Sequence, residues 1–94
     1  MLFLARSATD ALKMPYQQAR LLIASRIKEA RLNSGLSQQT VAKELHISQS
    51  SYSRMERGEL SPDCAQIRFL SGFYGISVLY LMGYPSFLVN ATKD

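Results

Sequence analysis

The sequence predicts an all-α fold, a compact five-helix bundle with an N-terminal extension over residues 1–20 and a C-terminal tail over residues 84–94. Two observations carry this expectation. Apolar residues recur at helical spacing in successive segments, and no segment sustains the period-two alternation of a half-buried strand. Each segment is also punctuated, by Ser or Pro where a helix opens and by Gly where it closes. With 94 residues, 47% hydrophobic and 19% charged, the chain has a globular composition and enough surface to bury for one core.

Pro15 suits the first position of a helix, where its missing N–H costs nothing. Behind it Ile23, Ala24, Ile27, Ala30 and Arg31 share one face, and Gly35 stops the helix as a left-handed cap. Ser37 is the N-cap of the second helix, because its side-chain oxygen accepts an otherwise orphaned backbone N–H. Val41, Ala42 and Leu45 point inward from that helix. A break at His46-Ile47 leads to Ser48, another N-cap. The third helix runs from about Gln49 to Arg57, with Tyr52 and Met55 inward and Gly58 as terminator. Ser61-Pro62 repeats the cap-then-proline opening, so the fourth helix is expected to bury Cys64, Ile67, Leu70 and Tyr74 and to close at Gly75. Ser77 opens a fifth helix that ends near Gly83.

Composition removes several kinds of chemistry. Cys64 is the only cysteine and His46 the only histidine, so an intrachain disulfide, a thiolate metal cluster and a histidine-based triad lack their parts. No nucleophile–base pair or phosphate-cradling glycine loop stands out, so no enzyme activity, cofactor or metal is expected. The apolar runs are too short for a membrane span, and the apolar patch Met1-Leu2-Phe3-Leu4 has its charge behind it, unlike a secretory signal. A cytoplasmic protein is expected. The net charge of +4 favours an anionic partner.

Two helices joined by a break of three or four residues, the second opening on polar residues, form the helix-turn-helix plan. Residues 37–58 fit it without a gap. This stretch resembles the Cro/repressor helix-turn-helix family, also called the xenobiotic-response-element (XRE) family. The resemblance extends from about Ile23 to Gly83. It includes Gly35-Leu36-Ser37-Gln38, Glu56-Arg57-Gly58, Ser61-Pro62 and Gly75-Ile76-Ser77, each at the family's spacing. It implies a bundle of the lambda-repressor-like type that binds double-stranded DNA, with its third helix in the major groove.

On that resemblance the base-contacting residues are Gln49, Ser50 and Arg54, with Ser53 beside them. The chemistry agrees, because Gln can bond adenine, and Arg guanine, at two points each. Gln38 matches the glutamine that bonds a phosphate from the first turn of the second helix, where free N–H groups assist it. Arg57 matches another backbone-contacting position, and Lys43 adds charge. The resemblance also pairs Arg31 with Glu56 across the first and third helices, a structural role. His46 takes the turn position where the family usually has glycine with positive φ.

Two departures from the family pattern stand out. Glu59 and Asp63 lie where the loop often carries basic residues, which weakens the case for phosphate binding there. Leu79 and Tyr80 occupy fifth-helix positions that are usually polar. Together with Phe69, Met82, Tyr84, Phe87 and Leu88 they form an apolar surplus. That surplus points to a symmetric homodimer face, with a tail folded back over it as the alternative. Residues 1–20 lie outside the resemblance and are open to three readings: a helix enlarging the dimer, an arm touching DNA, or an extension from a start upstream of a true one at Met14. The leading function is a transcriptional regulator, a repressor in particular, binding a palindromic operator as a homodimer. The alternative is an antitoxin that neutralises a protein toxin and regulates its own gene through the same motif.

Overall fold

The computed structural model describes residues 14–85, and these form five α-helices. α1, Tyr16–Asn33, opens at Pro15, which stands at the N-cap with extended ψ, one position earlier than expected. Its carbonyl accepts from the Ala19 N–H at 3.0 Å. α1 therefore begins inside the stretch assigned to the extension. Gly35 follows the helix with φ of 70°, so the chain reverses where a Cβ would be strained.

α2, Gln38–Glu44, and α3, Gln49–Glu56, open on the serines the sequence marks. The Thr40 N–H donates to Ser37 Oγ at 3.1 Å, and the Ser51 N–H donates to Ser48 Oγ at 3.1 Å. Each bond satisfies one of the donors a helix start leaves open. Between the two helices His46 has φ of 58°, the one positive value among described non-glycine residues.

α4, Cys64–Tyr74, corrects the sequence reading. Its cap is Asp63 and not Ser61. Asp63 Oδ1 accepts from the Gln66 N–H at 2.7 Å, and Gln66 Oε1 accepts from the Asp63 N–H at 2.9 Å. This reciprocal capping box is worth more than the single bond a serine would supply. The shifted start places Cys64 in the first turn, exposed, so it is not a core residue. Tyr74 is half-buried. α5, Val78–Leu81, opens on Ser77 as expected.

Ile27, Val41, Tyr52, Met55, Leu70 and Leu81 are the largest fully buried side chains, and every helix supplies at least one of them. At about 1.5–3 kcal/mol for each large apolar side chain, these residues set the mutual positions of the helices. α5 is held to α1 by more than packing. The Tyr80 hydroxyl donates to Glu29 Oε1 at 2.7 Å, and Arg26 Nη1 donates to the Tyr80 carbonyl at 2.7 Å. The Arg26 guanidinium also lies 4.0 Å from the Tyr80 ring centroid, a cation–π contact. No described helix is long and apolar enough to cross a membrane.

Candidate nucleic-acid interface

α3 has two faces of opposite character. Tyr52, Met55 and Glu56 are buried, whereas Gln49, Ser50 and Arg54 are exposed and Ser53 is half-exposed. Residues 49 and 53, and 50 and 54, are one turn apart, so all four expected base-contacting residues share the outward stripe. The N-terminal turn of α3 also presents the N–H groups that Ser48 leaves unbonded.

The inward face is anchored electrostatically as well as by packing. Arg31 Nε and Nη2 donate to the two Glu56 oxygens at 2.6 and 3.0 Å, and Arg31 Nη1 donates to the Leu36 carbonyl at 2.9 Å. This is the ion pair between the first and third helices that the family resemblance implies. Gln38 Nε2 donates to Glu56 Oε1 at 3.1 Å. Burial opposes the Glu56 charge, but the hydrogen bonds from Arg31 and Gln38 outweigh it and lower its pKa. Burial raises the Tyr52 pKa far above its ordinary value, so this neighbour stays a neutral phenol. Gln38, the expected phosphate contact, is thus half-buried and tied through its amide nitrogen to the end of α3.

Gly58 fixes the angle at which α3 meets α1. It has φ of 76°, and a Cβ there would stand 2.8 Å from Leu21 Cδ2. Arg20 Nη2 donates to the Gly58 carbonyl at 2.6 Å. The left-handed turn favours the absence of a side chain, while the approach to the tip of the exposed Leu21 could be relieved by a small movement of that side chain.

Beyond the end of α3, Glu59, a departure from the family pattern, draws Arg54 and Arg57 together. Arg57 Nε and Nη2 donate to the Glu59 carboxylate at 3.0 and 3.3 Å, and Arg57 Nη1 donates to Ser53 Oγ at 2.6 Å. Arg54 Nε lies 3.8 Å from Glu59 Oε1. Ser53, Arg54 and Arg57 therefore form one surface cluster around a single carboxylate. Lys43 is exposed in the last turn of α2 and bonded to none of them.

Of the residues expected at a dimer face, Phe69 and Met82 are 40% and 41% exposed, and Leu79 is half-buried. Tyr80 is already committed to α1 through its hydroxyl, carbonyl and ring. Phe87 lies outside the described residues. Phe73, which the sequence did not single out, stacks on Phe69 with centroids 5.5 Å apart.

Comparison with known proteins adds independent findings. The model of the helix-turn-helix family matches residues 27–81, more than half of the chain. The HTH-type transcriptional regulator ImmR of Bacillus subtilis (strain 168) is 36% identical over 61 residues, 65% of this chain. The match spans 48% of that relative, so the chain covers about half its length. Among solved structures, a hypothetical transcription factor, NHTF, from Neisseria superposes with a TM-score of 0.65 at 18% identity, covering 97% of this chain and 100% of that one. At that identity the likeness concerns the fold, an all-helical one. Motif, fold and family match agree: the chain belongs to the XRE-type helix-turn-helix family of DNA-binding transcription regulators.

Proposed function

We propose that this chain is a sequence-specific DNA-binding transcriptional regulator, a repressor, that binds a palindromic operator as a homodimer with α3 in the major groove. The observation that carries the reading is the division of α3. Four polar side chains capable of base contact share one exposed stripe, while Tyr52, Met55 and the Arg31–Glu56 pair hold the other side rigidly in the core. A helix enters the major groove with its N-terminal residues on base edges, and such a helix must be held without freedom to roll. On this reading the chain acts by binding, not catalysis, in the cytoplasm where its DNA lies.

Gln49, Ser50, Ser53 and Arg54 read bases, while Gln38, Lys43 and Arg57 contact phosphates. The Gln38–Glu56 bond supports the positioning role, because it presets the amide beside α3 before DNA arrives. The exposed apolar side chains of α4 and α5, with Phe69 stacked on Phe73 beside Val78 and Met82, support a dimer face there. A symmetric pair would present two α3 helices to successive major grooves about 34 Å apart.

Selection from a pool of random duplexes tests this reading. The wild-type chain is expected to enrich a site with two inverted half-sites about one helical turn apart, bound with an affinity that falls steeply as salt rises. Recovery of no common sequence, or an affinity indifferent to salt, would refute it.

A further inference from the structure

We propose that Glu59 is an intramolecular competitor of DNA phosphate that occupies Arg57, and more weakly Arg54, until the duplex displaces it. The inference rests on the DNA-binding reading above and assigns a function to a residue outside the contact set. A carboxylate and a phosphate make the same demand on a guanidinium, two acceptor oxygens in the plane of its fork. Glu59 supplies that pair to Arg57 in a two-point contact of 3.0 and 3.3 Å. Its Oε1 also lies 3.8 Å from Arg54 Nε, between the two cations nearest the end of α3.

The backbone holds the competitor in place. Arg57 caps α3, Gly58 turns left-handed, and the Glu59 N–H donates back to the Arg54 carbonyl at 2.9 Å. That short closure aims the carboxylate back along the helix it follows. Arg57 is fixed on its other side by the bond to Ser53 Oγ. The contact acts on ionisation in both directions: the hydrogen bonds from Arg57 lower the Glu59 pKa, and those to Glu59 raise that of Arg57.

All three side chains are about half exposed, at 51% for Arg54, 54% for Arg57 and 53% for Glu59. An exposed pair of this kind is weak and exchangeable. That weakness suits the role, because a phosphate arriving at Arg57 trades one ionic contact for another and need not break a strong one. The consequence falls on binding. Glu59 must be given up before Arg57 meets a phosphate, so affinity for any duplex is lowered, most at low salt where the internal pair is least screened.

The test uses the full chain and a random-sequence duplex, at several salt concentrations. Glu59→Gln is expected to bind about three- to five-fold tighter at low salt, with a gain that shrinks as salt rises and a log–log salt slope steepened by well under the roughly 0.9 of a whole phosphate contact. In an Arg57→Ala background the same change is expected to lose most of its effect, because the competitor then lacks its main target. A separate NMR titration of the Glu59 carboxyl should find its pKa lowered in the wild type and restored towards the ordinary value in Arg57→Ala. Wild-type binding with no gain in Glu59→Gln would overturn the competition alone, as would an equal gain in both backgrounds. A wild type that binds no duplex at low salt, with the lowered Glu59 pKa still observed, would overturn the DNA-binding reading and with it the competition.

Discussion

Arg31 and Glu56 stand 25 residues apart, on either side of the helix-turn-helix, and meet in a buried two-point contact of 2.6 and 3.0 Å. The pair ties the last turn of α1 to the end of α3, and through Gln38 it also holds the first turn of α2. One carboxylate thus fixes three helices relative to the outward stripe of α3.

Removing one partner leaves the other charge uncompensated, so Glu56→Ala is expected to destabilise the fold by about 3 kcal/mol or more. Replacing both with apolar residues of similar volume is expected to cost much less. Urea denaturation of the three proteins checks this, and equal losses in single and double variants would count against it.

The same pair predicts an acid limit. The Glu56 pKa is lower in the folded chain than its ordinary value near 4.5. A depressed carboxyl contributes stability that is present above its unfolded pKa and is lost as pH falls through the folded one. Stability should therefore decline below about pH 4.5, and Glu56→Gln should show a shallower decline. Thermal denaturation across that range measures both.

Backbone conformation separates His46 from Gly58. His46 holds φ of 58° with a side chain, and Gly58 holds φ of 76° against α1 without one. His46→Gly should stabilise by roughly 0.5–1 kcal/mol, because relief of left-handed strain exceeds the added chain entropy. Gly58→Ala should destabilise by about 1–2 kcal/mol from strain alone, before Leu21 is displaced. Changes of the same sign in the two variants would contradict this account.

The proposed dimer face is centred on Phe69 and Met82, whose side chains protrude from the core. Phe69→Ser combined with Met82→Ser should yield a folded monomer that binds a palindromic site far more weakly than the wild type. Sedimentation with circular dichroism decides it, and a variant that remains dimeric places the interface elsewhere. Tyr80 is a poor target for this purpose, since its bonds to Glu29 and Arg26 secure α5 to α1.

What the sequence disclosed was whatever is local. Ser37, Ser48 and Ser77 were legible as caps because a helix start needs an acceptor within three residues. Tyr52 and Met55 on the inward face of α3 followed from spacing, whereas the buried Glu56 was legible only through the family resemblance. Asp63 was obscured by Ser61-Pro62, which carries a competing start signal. The deciding feature was the glutamine three residues on, at Gln66. That two-residue shift turned Cys64 from an expected core residue into an exposed one. The Tyr80 contacts join residues 51 and 54 positions apart, and no local pattern announces them. The Glu59 cluster depends on the left-handed turn at Gly58, which reverses the chain so that the carboxylate faces the arginines before it.

The central claim, that the exposed stripe of α3 reads bases, is tested most directly by Arg54. The measurement is the affinity of wild type and Arg54→Ala for the site selected by the wild type and for every single-base variant of it. Arg54 is exposed and remote from the core, so the variant should keep its melting temperature. The predicted result is a loss of about 1–3 kcal/mol on the selected site, with preference relaxed at one base pair in each half-site. Unchanged affinity and unchanged preference at every position would contradict the account.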